Sequence, residues 1–287
     1  MPAVACLNEY LVRLDGSSVE MNMTGGGRPF GYDNEDFYRN TKENVRSRFA
    51  AYQSSKNLED YSDYGVALVR DQQYIAAKKI FLEIEKQKPG LYATSANLGT
   101  TYELLGKNDS ALYWIRKAVA INPHSHQGSE WIHVKILEAK NNASIKDLYH
   151  YNILSLNFGN NDTPENLNGP RVNLDSLYYQ LDYQMEERVF FVKPKDAVMG
   201  QLLFQLGNVI AMKGTLREAV DIYKKAAEYG YTDELMDARI KLFNNLQEDS
   251  DDRRDGLIYF KLIIYLIIAI PIAIGIFWFI YNRRKKN

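Results

Sequence analysis

Cysteine occurs once in 287 residues, at Cys6. That excludes an intramolecular disulfide and a zinc cage built on thiolates, and it leaves the redox compartment open. The short signatures of common chemistries are missing as well: there is no Gly-x-Ser-x-Gly, no Walker sequence and no His-Glu-x-x-His. Gly25-Gly26-Gly27-Arg28-Pro29 lacks the lysine and hydroxyl that complete a phosphate loop, so it reads as a flexible segment. Catalysis has no residue to rest on, and the chain reads as a non-enzyme with no cofactor. A basic surface is also lacking. Five of the 35 basic residues (Lys261, Arg283, Arg284, Lys285 and Lys286) fall after residue 256, where there is no acid. The preceding part therefore sets 30 bases against 36 acids, which argues against nucleic acid as a partner.

What is present is a repeat. Between Leu58 and Pro123, Gly65 aligns with Gly99, Ala77 with Ala111, Phe81 with Ile115 and Pro89 with Pro123, each 34 residues apart. In the second copy Leu98, Gly99 and Tyr102 share one face of a first helix. Ala111, Ile115 and Ala118 form the buried stripe of a second helix, and Gly106-Lys107-Asn108 makes the turn. A glycine on the first helix lets its partner approach closely. The period and these positions resemble the tetratricopeptide repeat family. The first copy departs from that pattern at Leu68 and Ile84, both still apolar. A third copy begins in register near His126, with His133 where the family has a small residue. Leu206, Gly207, Gly214, Ala219, Tyr223 and Ala226 repeat the spacing of the second copy further on.

The expected fold is all-α: a helix-hairpin array with capping helices and one C-terminal transmembrane helix. Residues 1–33 read as flexible, 34–156 as a first helical unit and 157–172 as a polar loop marking a boundary. A second unit follows over 173–247, then an acidic linker at 248–256, a membrane span at 257–281 and a basic tail at 282–287. A helix with Phe37, Thr41, Val45 and Phe49 at every fourth position caps the first repeat, and Leu174, Leu177, Leu181 and Met185 mark another amphipathic helix.

The span of 257–281 contains one charge, Lys261, and the 19 residues from Leu262 to Ile280 reach about 28 Å as a helix. Tyr259, Tyr265, Trp278 and Tyr281 lie toward its ends, where interfacial aromatics sit. Four basic residues follow the span, against Arg253, Arg254 and Lys261 before or within it. That balance favours an exported repeat domain with a cytoplasmic tail; the alternative is a tail-anchored protein with cytosolic repeats. Ala3-Val4-Ala5-Cys6 resembles the small-residue end of a secretory signal without its apolar stretch. A start placed too late and an ordinary terminus are both open readings.

Two clusters invite chemistry. His124, His126 and His133 stand near Glu130, and a Glu-x-x-His pair can share a metal, but no second such pair occurs, so a structural role is expected. The resemblance implies a concave surface lined by the first helices, here Asp63, Val66 and Arg70, then Asn97, Thr100 and Glu103, then Glu130, Trp131 and Val134. It implies a protein or peptide partner. Trp131 has two open readings, an anchor for the partner or packing against the next helix. One branch of the family clamps carboxylates; only Asn97 matches that set, with Ser62, Val66, Gln127 and Trp131 at the other positions. The competing hypothesis is an enzyme or sensor with a site between Asn157 and Lys193. A deep polar pocket there would favour it, and a continuous open groove would favour a scaffold.

Overall fold

A computed structural model describes residues 8–22, 40–170 and 172–284; the side chains of 8–10, 20–22, 262 and 266–284 lie outside that description. The chain is built of helices that pack on their neighbours in sequence. They are α1 (Thr41–Ser55), α2 (Leu58–Arg70), α3 (Tyr74–Gln87), α4 (Tyr92–Leu104), α5 (Asn108–Ile121), α6 (Glu130–Asn141), α7 (Leu174–Val189), α8 (Ala197–Lys213), α9 (Leu216–Glu228) and α10 (Glu234–Arg284). The pairs α2–α3, α4–α5 and α8–α9 are packed hairpins.

Their contacts explain the spacing of small residues. A Cβ added to Gly65 would come within 2.7 Å of the Phe81 ring. At Gly99 it would strike the Ile115 side chain, and at Gly207 the Tyr223 ring. In each hairpin, then, the bare glycine makes room for the large residue of the second helix. Ala77, Ala111, Ala118, Ala219 and Ala226 are fully buried beside these contacts, as are Phe81 and Tyr223, while Tyr102 is half-buried. The α9 N-terminus carries a full capping box between Thr215 and Glu218, which satisfies two otherwise orphan amides.

α1 begins at Thr41 and lies on α2 through aromatic contacts, Phe49 with Tyr64 and Tyr52 stacked on Tyr61 at 4.2 Å. It buries none of its own residues completely and lends Val45 to the first core. Phe37, expected on the same helix, lies outside the described residues.

The N-terminal expectation is corrected. Residues 8–22 form an antiparallel hairpin of β1 (Asn8–Val12) and β2 (Ser18–Asn22), where a flexible segment was expected over 1–33. Gly16 takes φ of +80° in the turn, and Asp15 Oδ1 accepts from the Ser17 amide. An isolated two-stranded ribbon is marginal in water. This one is held because Leu11 and Val12 are buried and Gln247 Oε1 of α10 accepts from the Val12 amide at 3.2 Å. The glycine run at 25–27 lies outside the described residues.

The expected boundary at 157–172 is also corrected. The chain leaves helix already after Asn141, and Ile153, Leu154, Leu156 and Phe158 of this irregular strap are buried. They join Ile132 and Ile136 of α6 and the faces of α7, α8 and α9 in one continuous core. The core therefore crosses the place where two units were expected to separate. Asparagines make the strap possible. Asn152 bonds both the amide and the carbonyl of Leu156, and Asn168 does the same for Asn157. Each supplies the partners that a helix or sheet would have given the backbone. Arg239, fully buried on α10, donates to the carbonyls of Phe158, Gly159 and Asn161 and to Asn208 Oδ1.

At the C-terminus the expected linker at 248–256 is helical. α10 runs without a break through it to Arg284. Among the described residues no helix is long and apolar enough to cross a membrane. Most of the stretch singled out by hydropathy, 257–281, has side chains outside the described residues, although its backbone is helical.

Candidate functional site: a cleft roofed by α7

The first helices of three successive hairpin positions converge on one cleft of about 430 Å³. Val66 and Arg70 come from α2, Asn97, Thr100 and Glu103 from α4, and Glu130 from α6. The concave surface is not a continuous open groove. α7 and the residues after it roof the cleft with Tyr183, Gln184, Glu187, Arg188, Phe191 and Val192. α7 comes to lie there because its apolar stripe, Leu177, Leu181 and Met185, is buried in the main core and leaves an adjoining face over the cleft. Asn173 caps its start by accepting from the Ser176 amide.

Three of the nine expected groove residues are elsewhere. Asp63 pairs with Arg48 on the exposed face toward α1, at 3.0 Å. Val134 turns to the small core between α5 and α6, beside Ala111, Ile115 and Leu137. Trp131 packs against the main core and donates its indole N–H to Gln180 Oε1 of α7 at 2.9 Å. Of its two open readings the structure shows packing on the next helix.

The cleft is strongly charged in its depth. Glu103 is buried and receives His133 Nε2 at 2.6 Å, Lys140 Nζ at 2.8 Å and Arg188 Nη1 at 3.0 Å. Burial alone would raise its pKa, but Arg188, His133 and Lys140 outweigh that and hold it well below the usual carboxylate range. His133 stands 34 residues after Gly99. α6 has an irregular strap after it instead of a helical partner. Beside this group, His126 Nδ1 meets Glu130 Oε1 at 2.8 Å and the Tyr92 hydroxyl donates to the same oxygen at 2.8 Å. The His126 ring stacks on Tyr183.

The hydrogen bond to Glu130 raises the His126 pKa above its ordinary value near 6.5, against the opposing effect of burial. Burial works to raise Glu130, but its bonds to His126 and Tyr92 and the nearby His133 lower it. The stabilising contribution of His126 is complete below pH 6.5 and fades as pH rises through its raised value; that of Glu130 is complete above about 4.5 and fades on acidification. Glu130 Oε2 stands 3.8 Å from His133 Nδ1, and His133 is committed to Glu103.

Two buried polar atoms in the cleft wall have no hydrogen-bond partner, Arg188 Nε and Glu130 Oε2. One donates and the other accepts. Arg188 was invisible to sequence reasoning, because its carboxylate partner lies 85 residues earlier in the chain. Fold and site together define an all-helical hairpin array with a covered, charged cleft. No protein-family model matches this chain, and no curated protein matches it.

Proposed function

We propose that this chain is a membrane-anchored scaffold of the tetratricopeptide type. It binds a segment of another protein in the cleft beneath α7 and holds that protein at a bilayer without catalysing a reaction. The observation that carries this reading is the convergence of six residues from α2, α4 and α6 on one cleft with an unpartnered donor, Arg188 Nε, and an unpartnered acceptor, Glu130 Oε2. A peptide backbone offers a carbonyl to the one and an amide to the other. Val66, Val69 and Val192 supply apolar surface, and a volume of about 430 Å³ falls within the usual range of binding sites. The glycine contacts at Gly65, Gly99 and Gly207 support the repeat reading. Twenty-five residues with a single charge, on a helical backbone, support the anchor. The basic tail after the span favours an exported domain over a tail-anchored one facing the cytosol.

A photo-crosslinking residue at Thr100 tests the cleft, with the same residue at exposed Tyr113 as control. The expected result is a discrete adduct from Thr100 only, lost in an Arg70→Ala, Asn97→Ala variant whose circular dichroism is unchanged. Equal capture from both positions removes the cleft from the proposal. Alkaline carbonate extraction of the full chain and of a chain ending at 256 tests the anchor separately. Only the full chain should stay in the membrane pellet.

A further inference from the structure

A second cavity, of about 700 Å³, lies away from the cleft. The strap from His150 to Asn160 closes one side, and Gln201, Phe204, Gln205 and Asn208 of α8 form the floor. Tyr231, Asp233 and Arg239 complete it. Its charged and hydrogen-bonding groups are mostly committed. Arg239 is fully engaged with Asn208 Oδ1 and three strap carbonyls. Asp233 accepts from the Leu235 amide at 2.7 Å and the Tyr231 hydroxyl at 3.3 Å. His150 bridges Asp147 and the Thr232 carbonyl.

Two groups stand out against this. Gln201 and Gln205, one helical turn apart, are 2% and 5% exposed, and the carbonyl oxygen of each has no partner. A buried carbonyl oxygen left unpaired costs about 1–3 kcal/mol, so two of them one turn apart on one cavity floor call for a partner. We infer that this cavity binds a small, neutral, polyhydroxylated molecule, a sugar or cyclitol, through Gln201 and Gln205.

The chemistry of the walls selects that class. Among the described residues lining the cavity the guanidinium is spent, which leaves an anion without a counter-charge. Phe204 and Tyr231 stack on each other at 4.7 Å, which leaves no slot between them for a flat heterocycle. The strap lies across the α8 face, and Arg239 holds its carbonyls there. A hydroxyl both donates and accepts. It therefore satisfies a glutamine amide whichever way that amide is turned. Hydroxyls spaced around a ring can reach both amides at once.

The test uses the full chain in a detergent without a sugar headgroup. D-glucose, D-galactose, D-mannose, N-acetyl-D-glucosamine and myo-inositol serve as probes, read by saturation-transfer NMR and calorimetric titration. At least one probe should show saturable transfer from the protein. Gln201→Leu and Gln205→Leu should each weaken it about fivefold, the loss of one neutral hydrogen bond. Because each removes a buried, unpaired carbonyl oxygen and puts an apolar group of similar volume in its place, neither should lower the melting temperature. Tyr113→Ala, on a separate exposed surface, should bind as the parent does. The inference is overturned if none of the five probes gives transfer to the parent protein, a result independent of any variant's folding. It is equally overturned if a probe binds both glutamine variants as tightly as the parent.

Discussion

Glu103 shows what one side chain carries here. It is the shared counter-ion of Arg188 and Lys140 and the acceptor for His133, and it joins α4, α6 and α7 at a single point. Replacing it with leucine leaves those groups facing each other in a low-dielectric interior. Breaking a buried pair on one side costs about 3–5 kcal/mol, and urea unfolding of Glu103→Leu should show a loss in that range. Asp182, on the same helix as Arg188, is the opposite case. Burial, with help from Glu186, pushes its carboxyl up to about 6, and its Oδ1 has no partner. The unfolded chain ionises near 3.9, so the folded state loses ground as pH climbs from about 4 to about 6. Asp182→Asn should melt above the parent at pH 7, with the difference shrinking toward pH 4. A difference that stays constant across that range would show that the carboxyl is not held neutral.

At the scale of elements, the glycine positions govern how closely paired helices approach. In Gly99→Ala the new methyl meets the Ile115 side chain and comes to 3.2 Å from the Ile115 amide nitrogen. Overpacking of this kind costs about 1–3 kcal/mol. Adding Ile115→Val, which removes Cδ1, should restore part of the loss in thermal melts. These hairpins were legible in the sequence because the pattern is local: Gly99, Ala111 and Ile115 lie within 17 residues and meet only each other's helices. The β-hairpin had a local signal as well. Asp15-Gly16 is the dipeptide a tight turn prefers, flanked by Leu11, Val12 and Val19, but the glycine run beyond it gives the whole segment the composition of a loop. The strap had none. Its asparagines read as loop formers, and nothing local shows that Ile153 and Phe158 are buried or that Arg239, some 80 residues on, holds its carbonyls. The groove residues were found in part for the same reason. Positions on α2 and α4 follow the repeat, whereas the roof over them comes from a helix outside it.

For the molecule as a whole, the hairpin at 8–22 braces the last helix against the core. Leu11 and Val12 are buried, and β1 touches both α9 and α10. Val12→Ser should lower stability by about 1–3 kcal/mol, the worth of one buried aliphatic side chain, as measured by chemical unfolding. That brace matters because of what α10 connects. Its first turns are locked into the body through Met236, Arg239 and Phe243, and the same unbroken helix continues through 248–256 into the apolar stretch. A coil at that point would let the body swivel freely above the proposed anchor. A helix behaves as an axle: it transmits torsion, so the bearing of the cleft is set by the number of residues below it. Two alanines inserted after Asp252 turn the body by about 200°, while seven return it almost to its original bearing and lift it by about 10 Å. If the partner is itself fixed in the bilayer, crosslinking from Thr100 should fall with two added residues and recover with seven. The acidic stretch would then serve less as a tether than as a gauge of direction.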